Sequence, residues 1–164
     1  MTEKITDELE ARKKAMELLA RREHSRFELS QKLKQRHFHG RVINSEIDKL
    51  ADEGLQSDER FAEAFLRSRI SKGKGPNIIH SELLKRGVDE SIVSNALESI
   101  TEEQWYQLAY EIMNKKLGKD AELDYHNQLK LMKFLNYRGF TRNQIEKAKN
   151  LLSKHNLTES DENK

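Results

Sequence analysis

The side chains best placed to act on something outside the chain are lysines and arginines that recur in blocks. One group is Arg67, Arg69, Lys72, Lys74, Lys85 and Arg86. A second is Lys130, Lys133, Arg138 and Arg142, and a third is Arg12, Lys13, Arg21, Arg22, Arg26, Lys32, Lys34 and Arg36. Arg69 and Lys72 are three apart, as are Lys130 and Lys133, a spacing that places side chains on one face of a helix. Cationic faces of this kind suit phosphate or an acidic protein surface, with an attraction that salt weakens. The plainer alternative is a set of solvated helix ends, because cations favour helix C-termini.

Other chemistry is poorly served. His37 and His39, with His24, would be the start of a metal site, but there is no Cys and no nearby cluster of carboxylates to complete it. A loop beside a basic patch is the better description. Gly73-Lys74-Gly75-Pro76 has the glycines of a phosphate loop but not its spacing or its Lys-Ser/Thr ending, and no strand precedes it. It reads as a turn followed by a helix start, with Pro76 in the first helical position. Trp105 shares a stripe with Leu108, Ala109 and Ile112, so it is expected in the core rather than against a base. Tyr106, Tyr110, Tyr125 and Tyr137 are expected as packing or rim residues. No nucleophile motif, metal triad or cofactor fingerprint is present, so neither catalysis nor a cofactor is expected.

Bulk composition agrees with a binding role. Of the 164 residues, 35% are hydrophobic and 35% charged, which suits a thin structure with much solvated surface. Without Cys there are no disulfides. The acidic start, Met1 to Glu10, is no signal peptide, and no apolar run approaches a membrane span. A cytoplasmic protein is expected. The net charge of +2 hides segregation: residues 12–41 hold ten Lys and Arg against three Glu, whereas 42–66 and 88–111 are acidic.

The elements that must carry these side chains are helices throughout. There is one Pro, there are seven Gly, and strand-like alternation is missing. Ile79, Leu83, Arg86, Gly87, Val88, Val93, Ala96 and Ile100 recur fifty-two residues later as Leu131, Leu135, Arg138, Gly139, Phe140, Ile145, Ala148 and Leu152. A looser copy precedes both. Repetition at this period is the mark of an array of small helical units that support one another. Capping boxes open helices at Ser25, Thr101 and Thr141, and Gly87 and Gly139 are suited to the left-handed turn that ends a helix.

The spacing predicts a first helix from about Asp7 to Arg22 with Leu9, Met16 and Leu19 inward. A loop is expected from Phe38 to Ile43, and then a helix capped by Asn44 or Ser45. The expected organisation is all-α: three tandem three-helix repeats at 1–55, 56–100 and 101–155, forming an elongated, curved array, with a disordered tail at 156–164.

Taken in order, these residues resemble the RecX family. The strongest stretch is Gly54-Leu55-Gln56-Ser57-Asp58-Glu59-Arg60-Phe61-Ala62, then Ser68-Arg69 and Gly73-Lys74-Gly75-Pro76. Glu82-Leu83, Arg86-Gly87-Val88, Leu135 and Arg138-Gly139-Phe140 follow, and Leu18 to Ser25 with Glu28-Leu29 and Lys32-Leu33 fits the family's start. The chain departs from the family's usual Gly-Tyr-Leu-Asp-Asp at Gly54 to Asp58, and has Lys74 where a Tyr often stands.

The resemblance implies a regulator that binds the RecA–DNA filament, usually as an inhibitor of ATP hydrolysis, recombination and co-protease activity, restraining DNA repair and the SOS response. It implies RecA as partner, with single- or double-stranded DNA touched weakly or within the filament, no membrane, and a monomer. The alternative is a direct DNA-binding protein with tandem helix-turn-helix-like units. It is weakened by acidic last helices at Asn44–Glu53 and Asp89–Ile100, because only the third unit has a basic one.

Overall fold

The computed structural model describes residues 2–119 and 121–162. Among these the chain is entirely helical: α1 (Thr2–Arg21), α2 (Arg26–Gln35), α3 (Gly40–Asp52), α4 (Asp58–Ser71), α5 (Pro76–Lys85), α6 (Glu90–Glu98), α7 (Glu102–Leu117), α8 (Tyr125–Tyr137) and α9 (Arg142–Glu162). They form three successive triplets. The three capping boxes are in place: Ser25 with Glu28, Thr101 with Gln104, and Thr141 with Gln144. Pro76 opens α5, and Asp124 caps α8 by accepting from the Asn127 N–H at 2.7 Å.

Packing divides the helices into two compact units. Unit 1 holds the residues up to Leu66 with Glu82–Ala96, and unit 2 holds Arg67–Ser81 with the residues from Leu97 onward. The second triplet therefore contributes to both. Ala15, Leu18, Leu29, Leu33, Ile43, Ile47 and Leu50 make a core cluster in unit 1, with Leu19 and Phe38 against it. In unit 2, α7 packs on both α8 and α9, burying Trp105, Ala109, Met113, Leu131, Leu135, Phe140, Ile145, Ala148 and Leu152. Each such side chain stabilises by roughly 1.5–3 kcal/mol if large and fully buried.

Three expectations need correcting. The inner face of α1 is Ala11, Ala15 and Leu18, while Leu9 and Met16 are exposed. Small alanines let α1 approach α3 and α2 closely, and the larger side chains turn outward. The helix expected after a Phe38–Ile43 loop begins earlier, at Gly40. Its cap is His39, whose Nδ1 accepts from the Arg41 N–H at 3.2 Å, so Asn44 and Ser45 are inside the helix. Residues 156–162, expected as a disordered tail, continue α9. That stretch contains neither Gly nor Pro to stop a helix; Asn163 and Lys164 lie outside the described residues.

A single joint occurs once in each unit. The turn ending α5 meets the start of α2: the Ser25 hydroxyl donates to the Arg86 carbonyl at 2.8 Å. The turn ending α8 meets the start of α5: the Gly75 N–H donates to the Arg138 carbonyl at 2.7 Å and the Asn77 N–H to the Gly139 carbonyl at 2.9 Å. Gly87 and Gly139 have φ of 76° and 93°, the left-handed region that L side chains avoid. Space forbids a side chain as well. A Cβ on Gly87 would lie 2.5 Å from the Phe27 Cβ, and one on Gly139 would lie 2.7 Å from the Ile78 Cγ1. A Cβ on Gly75 would meet the Gly139 carbonyl carbon at 2.5 Å. The recurrent Arg-Gly pair is thus the contact that joins one triplet to the triplet before it.

The looser first copy keeps the same register. Leu29, Leu33, Arg36, His37 and Phe38 stand fifty residues before Ile79, Leu83, Arg86, Gly87 and Val88. The backbone bonds repeat too: His37 to the Lys34 carbonyl at 2.9 Å, Gly87 to that of Leu84 at 3.0 Å, and Gly139 to that of Asn136 at 3.1 Å. His37 even takes the left-handed φ of 67°. It is exposed and carries a side chain there, where Gly87 and Gly139 have no room for one.

Candidate partner-binding surface

The joint decides which arginines remain available. Arg138 Nη1 donates to the Lys72 carbonyl at 3.0 Å, just beyond the end of α4, and its guanidinium lies 4.8 Å over the Phe134 ring. Arg86 Nη1 donates to the Glu82 carbonyl at 3.1 Å and stacks 4.5 Å over Phe65. These two arginines are equivalent by register and hold helix ends. In each case the ring carries the flat cation and the carbonyl fixes its direction. Both are half-buried.

The first basic group is divided by the packing. Lys85 and Arg86 belong to unit 1, and Arg67, Arg69, Lys72 and Lys74 to unit 2. Arg67, Lys72 and Lys85 are exposed, whereas Arg69 and Lys74 are half-buried, and Arg69 is engaged by other groups of the protein. Arg69 and Lys72 therefore do not present equal faces to solvent. Arg138 of the second group, by contrast, is brought to the unit 2 part of the first. The Arg138 bond to Lys72 puts the end of α8 beside the end of α4. Lys130, Lys133 and Arg142 are exposed in the same unit. With Arg67 and Lys72, they supply five solvent-facing cations on α4, the turn after it, α8 and α9.

Half of the third group is engaged within unit 1. Arg22 makes two bonds of 3.1 Å to the Glu28 carboxylate, Arg26 pairs with Asp48, and Arg12 pairs with Glu53. Lys32 reaches His24 Nε2 at 3.0 Å. Arg21, Lys13, Lys34 and Arg36 are exposed. The arginine pairing shows in the acids. Burial works to raise the Glu28 carboxyl, but the Arg22 hydrogen bonds, the Ser25 N–H and the Arg22 charge outweigh it and hold the group below its ordinary value. The Arg12 hydrogen bond likewise lowers Glu53.

The histidines do not converge. His39 is a helix cap, His37 is exposed, and His24 is buried under the first joint. Among the described residues, no group of three His, Cys, Asp or Glu is placed to hold a metal ion. Trp105 is in the core, as expected. Tyr106 and Tyr110 are half-buried, but Tyr125 and Tyr137 are 77% and 78% exposed. Their exposure was missed by helical periodicity alone. The register carries the clue for Tyr137, which stands fifty-two residues after the solvent-facing Lys85.

Helix triplets joined by a recurrent Arg-Gly turn, with cations facing solvent, define the class: an all-helical tandem-repeat protein. Residues 11–50, 57–97 and 102–148 match the first, second and third three-helix domains of RecX, in that order. The chain belongs to the RecX family of regulatory proteins. It is 43% identical over 143 residues to the regulatory protein RecX of Chromohalobacter salexigens, covering 87% of this chain and 93% of that one. It is 40% identical over 134 residues to that of Halorhodospira halophila, covering 82% and 83%. The crystal structure of RecX from Lactobacillus salivarius superposes with a TM-score of 0.82 at 26% identity, covering 91% of this chain and 98% of that one.

Proposed function

We propose that this protein binds the RecA–DNA filament in the cytoplasm and restrains RecA: its ATP hydrolysis, strand exchange and co-protease activity. The observation that carries this is the match to all three RecX domains in order, over most of the chain. The exposed cations of unit 2, among them Arg67, Lys72, Lys130, Lys133 and Arg142, support it, since a filament of protein and nucleic acid offers repeated acidic groups. Several weak contacts on one chain raise avidity without a deep pocket. The protein acts by binding rather than turnover, as a monomer.

The test is RecA assembled on single-stranded DNA with ATP hydrolysis followed as the purified protein is added. Inhibition is expected, and it should weaken as salt rises. No effect over a broad concentration range would sink the proposal. Reversal of charge at Arg67 and Lys72, both exposed, should weaken inhibition while leaving helicity unchanged. Arg69 is a poor choice for that test, because its half-buried side chain is engaged and its loss would disturb packing.

A further inference from the structure

The outer face of α8 has no part in the repeat packing. At 100° per residue, Tyr125, His126, Leu129, Lys130, Lys133 and Tyr137 fall within an arc of about 140° on the helix. All six are exposed. From Tyr125 to Tyr137 the helix contains no Asp or Glu.

The same positions do a different task in the earlier triplets. Lys130 stands fifty-two residues after Ile78, which in turn stands fifty after Glu28. Ile78 is packed under Gly139, and Glu28 faces Arg86 at 3.9 Å. Those are the joint positions. In the third triplet this position is exposed and cationic. Lys130 also lines a hollow of about 230 Å³ with Lys116, Leu117, Ala121, Asn127 and Leu131. Lys116 is poised there by its ammonium lying 4.0 Å over the Phe134 ring.

We infer that this face of α8 binds single-stranded nucleic acid, with Lys130, Lys133 and Lys116 meeting phosphates and Tyr137 stacking on a base. Charge selects a polyanion. Tyr137 narrows the choice, because an exposed ring one and two turns beyond two lysines offers a platform that only an unpaired base can use. A duplex would present phosphates and leave the ring idle, and an acidic peptide would do the same. Glu122 and Asp124 precede Tyr125, so phosphate is disfavoured at that end and the site centres on Lys130 to Tyr137. The filament reading supplies the biological setting, but the site itself is testable without RecA.

The experiment is fluorescence anisotropy of a labelled oligothymidylate titrated with the full chain at low salt. Wild-type protein should bind. Tyr137→Ala should weaken binding roughly tenfold, and Tyr137→Phe should retain it. Replacing Lys130 and Lys133 together by Ala should weaken binding and reduce the salt slope by about one to two. No binding by the wild type, or unchanged binding by these variants, overturns the inference. Equal losses in Tyr137→Ala and Tyr137→Phe overturn the stacking role. Wild-type protein that binds the oligothymidylate but leaves RecA ATP hydrolysis untouched upholds this site and sinks the filament reading alone.

Discussion

At the residue scale, His24 has its protonation state set by its surroundings. Its Nε2 lies 3.0 Å from the Lys32 ammonium, which can only donate. The ring proton therefore sits on Nδ1 and is donated to the Arg22 carbonyl at 3.0 Å. Burial first, then the charges of Arg22 and Lys32, push the pKa below the ordinary histidine value, against the opposing pull of the Arg22 carbonyl and Glu28. With the folded pKa depressed, the unfolded chain takes the proton more readily, so stability rises with pH. The contribution is complete above about 6.5 and is lost as pH falls through the folded value. Glu28 has the same sign in the more acidic range. The melting temperature is expected to fall between pH 7 and pH 5, and the slope should flatten in His24→Gln. An unaltered slope in that variant, by differential scanning fluorimetry, would remove His24 as the cause. None of this was visible in the spacing of three histidines, because burial and the Lys32 contact are made by the fold.

At the scale of elements, the joint separates two roles that Gly plays. Gly87 and Gly139 need both a left-handed backbone and the space of a missing Cβ, whereas a Cβ on Gly40 would meet nothing within 4 Å. Gly139→Ala is therefore expected to cost roughly 2–4 kcal/mol from overpacking and backbone strain together. Gly40→Ala, in the first turn of α3, should be neutral or stabilising by up to about 1 kcal/mol. His37→Gly should shift stability by no more than about 1 kcal/mol, since the position is already left-handed and open. Urea unfolding of the three variants measures all of this, and a Gly139→Ala protein as stable as wild type would refute the joint.

Much of the element layer was legible. Seven of the eight repeated positions from Leu131 to Leu152 are apolar or Gly and buried, which is why one offset exposed them. The eighth, Arg138, is half-buried, and its duty was not legible. A sequence shows that an arginine recurs, but not that its guanidinium caps a carbonyl sixty-six residues away. The inward face of α1 was misread for a similar reason. Hydropathy favours Leu9 and Met16, while close helix approach favours Ala11 and Ala15.

At the scale of the molecule, the repeats of the sequence and the packed units do not coincide. Charge blocks and the fifty-two-residue offset describe three triplets, but the middle one lends α4 residues up to Leu66 and the 82–96 segment to unit 1, and residues 67–81 and 97–100 to unit 2. Its own apolar residues are thereby committed in two directions: Gly87 packs on Phe27, and Ile78 packs under Gly139. A stretch of this length cannot remove enough surface from water alone, since domains near 40 residues usually need a disulfide, a metal or a partner, and this chain has no Cys. Residues 56–100 expressed as a fragment should accordingly be unfolded at 25 °C. Their amide resonances should be narrowly dispersed and their circular dichroism should show little helix, although every cap within the segment is intact. The full chain over the same residues should show slow hydrogen exchange at Leu83 and Val93, both fully buried. A fragment that folds cooperatively would mean that each triplet carries its own stability and that the Arg-Gly joints merely decorate it.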